Sequence, residues 1–470
     1  MRFFTFFLSF AGLLFSHSLV MAQSPYVSKI WEYQPAPGQY INTLIGGPYA
    51  AQSLVGGISG SLSLGAFGGY VVLGFDHRIM NHPDNPYGVD FTVIGNASTL
   101  SAEPAAVYVM RDDNSNGLPD DNWYLLAGSD YYFSTSDAAY EITYTFAEAG
   151  EDVPWSDNYG NTGYVAQNEY HTQAYYPLAD SFPSIPQDEY ILSGLKVEAR
   201  LNSKDEAYIT SNPYPFGFAD NNPRVLSVSH LIPDNPYTSG LEGGGGDAFD
   251  ISWAVNENGE AVVLDGIDFI RIQTAVNVSA GWLGELSPEI LGVVDVAPDA
   301  SISGESRRVV LQPLFKTLEP EQSIQVQAFV FEAGKPLYNP VFEFTSADET
   351  VASIAADGLL STHKAGSTWI FATWEGSYRD SLRVEVKHPL GLTETTDQSV
   401  LLFPNPAVSQ VSVQGDEACR LLSLTDVWGR TYALSPLGRN CWDVSVLSPG
   451  IYWLTLLAND QAITLQFIKQ

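Results

Sequence analysis

The stretch V-Y-V-M-R-D-D-N-S-N-G-L-P-D-D-N-W-Y-L-L-A (Val107–Ala127) decides how the chain is read. Two short runs of aliphatic and aromatic residues flank a segment made almost wholly of Asp, Asn, Ser, Gly and Pro, the pattern of two strands joined by a turn. Counted from Asp112, oxygen-bearing side chains fall at the first, third and fifth positions (Asp112, Asn114, Asn116). Gly117 then allows a sharp turn, Leu118 stands seventh and Asp120 ninth. This is most of the spacing of a calcium loop, because a hard cation takes about six to eight oxygens and alternate residues of a tight turn aim theirs at one centre. The closing glutamate of such a loop is missing, and Trp123 stands in its place. Calcium held by Asp112, Asn114, Asn116, Leu118 and Asp120 is one reading. A polar hairpin that needs no metal is the other.

Outward from this hairpin the same texture continues. Ser59–Phe75 alternates small and apolar residues as a pleated strand pair would, Asp90–Gly95 reads as a further strand, and Ile267–Thr274 alternates and closes the domain. Sustained helical periodicity is almost absent, so the chain reads as all-β. At 470 residues it is too long for one ordinary domain, and about 150 residues per domain suggests roughly three. Residues 1–22 carry Arg2, an apolar core (Phe3–Leu14) and Val20-Met21-Ala22, the make-up of an export signal cut after Ala22. No later stretch is long and apolar enough to span a bilayer as a helix. With 54 acidic against 21 basic residues the formal charge is -33, which argues against nucleic acid or an anionic membrane as partner. The only cysteines, Cys419 and Cys441, could pair with each other.

Several stretches carry candidate chemistry. Trp155–Tyr176 sets Trp155, Tyr159, Tyr164, Tyr170, Tyr175 and Tyr176 among Asn, Gln and Gly; such rings suit a surface that stacks on a flat ligand and hydrogen-bonds its rim, and they serve equally as core filling. Pro83–Tyr87 (P-D-N-P-Y) recurs as Pro233–Tyr237, following His82 and His230, which reads as paired loops with similar turns. The run G-G-G-G-D-A-F-D (Gly243–Asp250) lacks the ending of a phosphate loop; its glycines give freedom for Asp247 and Asp250 to approach a second cation or the next strand. His77 and His82 are the nearest approach to a zinc pair. Acidic residues are plentiful, but none is singled out by its neighbours as one of the two carboxylates a glycosidase needs.

Resemblances add to this reading. The succession L-G-A-F-G-G-Y-V-V-L-G-F-D-H, D-F-T-V-I-G-N-A, E-P-A-A-V-Y-V-M, N-G-L-P-D-D-N-W-Y-L-L-A-G-S-D-Y, V-P-W-S-D-N-Y-G-N-T-G-Y-V, G-F-A-D-N-N-P and G-G-D-A-F-D-I-S-W-A-V-N-E-N-G resembles a family of Bacteroidetes cell-surface proteins over roughly residues 25–295. Some members resemble surface components encoded beside corrinoid uptake systems, which implies a capture role with an outer-membrane transporter as candidate partner. The strand succession is also similar to a galactose-binding-like jelly roll. Ser346–Ala352, Asp357-Gly358-Leu359 and Lys364-Ala365-Gly366 resemble the bacterial immunoglobulin-like repeat of surface adhesins, a spacer by default. The end of the chain resembles the C-terminal sorting domain of type IX secretion, at Phe403-Pro404-Asn405-Pro406, Gly429-Arg430 and Gly450-Ile451-Tyr452. That resemblance implies a small β-sandwich read by the outer-membrane translocon.

The expected organisation is a signal peptide (1–22), a jelly-roll-like β-sandwich binding domain (23–300), an immunoglobulin-like β-sandwich (305–388), a linker (389–399) and a small β-sandwich sorting domain (400–470). The expected protein passes through the periplasm to the outer surface and captures a small molecule, a corrinoid among the candidates, or a glycan without catalysis. A secreted polysaccharide hydrolase and an adhesin for another cell are the alternatives.

Overall fold

The structure, a computed structural model, describes residues 23–98, 101–131, 136–202, 209–223, 235–236, 246–299, 307–312, 318–332, 335–337, 339–387, 402–413, 420–426, 430–458 and 461–469. The expected signal peptide, the linker 389–399, His230, Gly243, Cys419 and Gly429 lie outside those residues. Two compact units divide the chain, one ending at Val386 and the other beginning at Lys387. Both are built of antiparallel strands; the only helical turns among the described residues are short 3-10 segments. None of them is long and apolar enough to cross a membrane.

In the first unit a six-stranded sheet runs in the order Lys29–Gln34, Tyr70–Met80, Gly266–Thr274, Ala105–Met110, Trp123–Leu126, Ala254–Val255. Facing it is a four-stranded sheet, Asp247–Phe249, Phe91–Gly95, Glu289–Asp295, Leu62–Ser63. Leu73, Val107, Val109, Ile270 and Ile272 from the first sheet meet Phe91, Val93, Phe249, Ile290 and Val293 from the second in one apolar core. This is a β-sandwich, in which period-two alternation sends every second side chain inward. The alternating stretch Ser59–Phe75 is not a paired hairpin. Leu62–Ser63 and Tyr70–Met80 belong to different sheets, and the chain crosses between them through Gly65 and Gly69. A Cβ at Gly65 would stand 2.1 Å from the Ala36 carbonyl oxygen and one at Gly69 1.9 Å from that of Leu64, so the crossing is too tight for any side chain.

A third sheet, Glu189–Lys196, Asp137–Thr145, Val153–Asp157, Thr162–Val165, builds its own core from Tyr140, Ile142, Tyr144, Val153, Tyr190 and Leu192 with Ala36, Ile41 and Phe67. It is tied to the sandwich by the Tyr144 hydroxyl donating to the Phe67 carbonyl (2.9 Å) and the Leu195 N–H donating to Tyr108 Oη (2.8 Å). Because of this layer, Gly266–Thr274 is covered on both sides, and most of its residues are buried where a simple alternation would expose half. It is a central strand, paired with Tyr70–Met80 and Ala105–Met110.

Residues 307–386 form three short three-stranded sheets around a core of Ala352, Leu360, Ile370, Ala372, Leu382 and Val384. The element resembling the adhesin repeat is a tight corner: Ser346 Oγ donates to the Ala352 carbonyl (2.7 Å) and Asp348 Oδ1 accepts from the Thr350 N–H (2.9 Å). Val310 and Phe331 of this region pack into the core of the sandwich, Phe331 meeting Phe216 edge-on with ring centroids 5.0 Å apart. In the second unit, sheets of four strands (Leu402–Phe403, Gln410–Val413, Cys441–Asp443, Ser435–Gly438) and three (Arg420–Asp426, Gly450–Ala458, Gln461–Lys469) enclose Val411, Leu424, Trp442, Leu454, Leu456 and Phe467.

Candidate functional site

The strands Ala105–Met110 and Trp123–Leu126 pair as a hairpin, Met110 opposite Trp123, and the acidic loop is its tip. Asp112 folds back over the loop: its Oδ1 accepts the Asn116 N–H (3.1 Å) and its Oδ2 the Gly117 N–H (2.8 Å). Asn114 Oδ1 accepts the Asn116 N–H (2.9 Å) and Asn116 Oδ1 the Leu118 N–H (2.7 Å). The amides of Asn114 and Asn116 both donate to Asp120 Oδ1, at 3.1 and 3.2 Å. Asp112, Asn114, Asn116 and Asp120 are therefore brought together by one turn, which the loop's own N–H groups and amides hold in shape. Asp121, which the spacing did not mark, caps the loop from the other side by accepting the Asp113 N–H (3.0 Å).

The aromatic stretch divides by face. Opposite residues of an antiparallel pair point to the same face, and successive residues alternate. Trp155 lies opposite Tyr144 and Gly163 on the core side, its indole spread over Gly163, where a Cβ would stand 2.4 Å from the ring. Tyr164, opposite Pro154, is on the outer face. Tyr175 and Tyr176 are fully buried in the core of the third sheet. Tyr159, Tyr164 and Tyr170 are the open rings, 65%, 64% and 70% exposed. Tyr159 donates to Asp137 Oδ2 (2.6 Å) and stacks toward Tyr140. The amides nearby are committed to the fold: Asn168 Nδ2 donates to Gln39 Oε1 (2.8 Å) and Gln167 Nε2 to the Gln173 carbonyl (2.8 Å). Shallow hollows of about 370 and 580 Å³ lie elsewhere, beside Tyr70 and Ile191 and beside Val341 and Trp374 respectively.

The other sequence candidates resolve into structural roles. The His77 ring bridges Asp76 Oδ1 (2.6 Å) and Asp295 Oδ2 (2.8 Å), while His82 Nδ1 accepts the Asp84 N–H (3.1 Å), so the two imidazoles do not converge on a zinc. Burial lowers the His77 pKa, but the two carboxylates outweigh it and the net direction is up. Asp247 accepts N–H groups of Asn221 (2.9 Å) and Asn222 (3.0 Å), joining a neighbouring segment. Asn85 in the first copy of the echoed turn is buried and donates to Asp90 Oδ1 (2.8 Å); Asn235 in the second is buried too. Asp90 is pushed up to about 8 by burial and then by the charge of Asp250.

One constellation carries no mark in the sequence. Glu103, Asp220 and Glu289 each place a carboxylate oxygen within 4.8 Å of the other two, inside the first unit. Asp220 Oδ1 accepts the Ala97 N–H and its Oδ2 the Glu289 N–H, both at 2.8 Å. Glu289 Oε2 accepts from the Asn96 amide (2.9 Å), and Glu103 Oε1 from the Ser287 N–H (3.4 Å). Gly95 makes room: a Cβ there would stand 2.1 Å from Asp220 Oδ1. All three pKa values are raised, by burial first, with the Asp220 charge adding to that of Glu289 and the charges of Glu289 and Asp220 to that of Glu103. A solitary acid in an apolar run hints at burial for Glu103 (A-E-P-A-A-V) and Glu289 (L-S-P-E-I-L), but nothing marks Asp220 in F-A-D-N-N-P or ties the three together.

In the second unit, the marked positions are joints. Asn405 Oδ1 accepts the Ile468 N–H (2.9 Å), fastening the Pro404-Asn405-Pro406 turn to the strand Gln461–Lys469. Asp426 gathers the Arg430 Nε–H and the Tyr432 hydroxyl, both at 2.7 Å, and Tyr452 meets Tyr432 edge-on and stacks on Phe467. Residues 401–470 match the secretion system C-terminal sorting domain. The chain ends in a sorting domain. It is the tag of type IX secretion, and through it the protein engages the secretion machinery and is exported to the cell surface or the extracellular space.

No curated protein matches the chain. Among solved structures it is similar to domains 5-6 of the S-layer protein SbsC at 10% identity, covering 35% of this chain and 98% of that one with a TM-score of 0.17. It is similar to murine CEACAM1b at 9% identity, 33% and 94% coverage and a TM-score of 0.18. For the extracellular domains 3-5 of Drosophila OTK the identity is 11%, the coverage 84% and 99%, and the TM-score 0.22. Scores this low carry no argument about function.

Proposed function

We propose that this exported protein is a non-catalytic surface binding protein whose third sheet captures a small molecule or a glycan. The observation that carries the reading is the exposure of Tyr159, Tyr164 and Tyr170, three rings about two-thirds open within one short segment. Exposed tyrosines offer a flat apolar body and a hydroxyl at low entropic cost, which suits stacking on sugar rings or on a planar macrocycle such as a corrinoid. Trp155 supports the hairpin from the core side, and Tyr175 fixes the chain beneath Asn168 by accepting its N–H (3.3 Å). The loop Asp112–Asp120 is a calcium clip on the neighbouring hairpin, and the immunoglobulin-like region is a platform. An outer-membrane transporter that receives the captured molecule is the partner this reading implies.

The test is titration of residues 24–470 with cyanocobalamin and with a glycan array, using Tyr159→Ala, Tyr164→Ala and the double variant. Each single change should weaken binding about tenfold, or about 1.4 kcal/mol, without moving the unfolding midpoint. Unchanged affinity of the double variant for every ligand of the wild type would refute the site.

A further inference from the structure

We propose that Glu103, Asp220 and Glu289 hold a divalent cation of the calcium and magnesium class inside the first unit, at a site separate from the Asp112 loop. The three side chains come from distant parts of the chain: the segment before Ala105–Met110, the turn that follows Phe218, and the first residue of Glu289–Asp295. A hard cation bound at about 2.3–2.6 Å from each oxygen keeps any two of its ligands within about 4.6–5.2 Å of each other. The observed spacing, all within 4.8 Å, fits one coordination shell. An all-oxygen, all-anionic donor set selects this class of ion over the softer transition metals.

A second observation points to an occupant. Glu289 is only 5% exposed, yet its Oε1 accepts no hydrogen bond. A buried acceptor left bare costs about 1–3 kcal/mol, and more when charged. Among the described residues no ion pair involves Glu103, Asp220 or Glu289. Three neighbouring carboxylates away from water repel one another, and a divalent ion offsets two of the three charges where a neutral donor offsets none. The site would clamp both sheets of the sandwich to the segment carrying Asp220, since Glu103 precedes a strand of the six-stranded sheet and Glu289 begins one of the four-stranded sheet.

The experiment uses residues 24–470, stripped with a chelator and then dialysed against calcium or magnesium, with metal per chain counted by mass spectrometry. The samples are wild type, Asp112→Ala, Glu289→Gln and Glu103→Gln. Both Gln variants keep the shape of the parent side chain and one acceptor oxygen and remove one charge, and circular dichroism confirms that they fold. The expected result is one ion fewer per chain in each Gln variant than in wild type, with the same loss in an Asp112→Ala background. Wild-type metal content in either folded Gln variant overturns the proposal, as does a wild type whose only metal is lost in Asp112→Ala. That last result would leave protons as the sole means of charge relief in the cluster.

Discussion

Replacing Glu285 by glutamine should stabilise the first unit, and by an amount set by pH. Glu285 is 5% exposed; its Oε1 accepts the Gln39 N–H at 2.6 Å and its Oε2 has no partner. Burial dominates over that hydrogen bond and pushes its pKa from 4.5 up to about 8. Below pH 4.5 the folded and unfolded chains both carry the proton, and the shift costs nothing. As pH rises toward 8 the unfolded chain releases its proton while the folded chain keeps it, so each pH unit lowers stability by about 1.4 kcal/mol. The accumulated loss is about 3 kcal/mol at roughly pH 7 and levels off near ~5 kcal/mol above roughly pH 8. Glutamine keeps the acceptor and has no proton to lose. In thermal unfolding of residues 24–470 followed by circular dichroism, the Glu285→Gln midpoint should match wild type near pH 4.5 and move progressively above it up to pH 8. The other buried acids titrate in both proteins and cancel in the difference. A gap that stays constant with pH, or a variant less stable throughout, would refute the assignment of a buried, proton-holding carboxyl.

Two further outcomes follow from packing and from the acidic loop. Phe331 is 2% exposed in the core it shares with Phe216, and truncation to alanine should cost about 3–5 kcal/mol. Because that core joins the sandwich to the region 307–386, calorimetry should show their unfolding separate into two transitions in Phe331→Ala where wild type shows one; an unchanged single peak would contradict the joint core. For the loop, a site with a Kd of about 10⁻⁴ M gains about 1.4 kcal/mol in about 1 mM calcium. Chelation should therefore lower the midpoint of the Glu289→Gln protein, and adding Asp112→Ala should abolish that difference; equal midpoints with and without chelator would remove calcium from the loop.

What the sequence made legible is what local order encodes. The hairpin around Asp112 and the strand Phe91–Gly95 depend on neighbours within a few residues, and each was visible as a run of alternating or turn-forming residue types; the sorting domain was legible through its resemblance to a known family. The aromatic stretch was legible in composition but not in direction. In a strand, whether a ring faces core or solvent turns on a one-residue change of register, which put Trp155 and Tyr164 on opposite faces; Tyr175 lies between strands, and its burial depends on how the loop folds back. Ser59–Phe75 has the texture of a strand pair, but its glycines serve a crossing between sheets. The carboxylate cluster was invisible for a different reason: Glu103, Asp220 and Glu289 share no spacing, and only the closing of the sandwich brings them together.

The place of Gly266–Thr274 in the sheet bears on the life of the chain before it is folded. This central strand pairs Ile270 with both Leu73 and Val109, residues made long before it. The earlier strands cannot settle into the six-stranded sheet until their middle member has arrived, and contacts so distant along the chain close slowly, on the scale of milliseconds to seconds. A nascent polypeptide of this topology stays loose for longer than one whose contacts are local. For a protein that is exported, that delay is an interval in which the sheet has not yet closed.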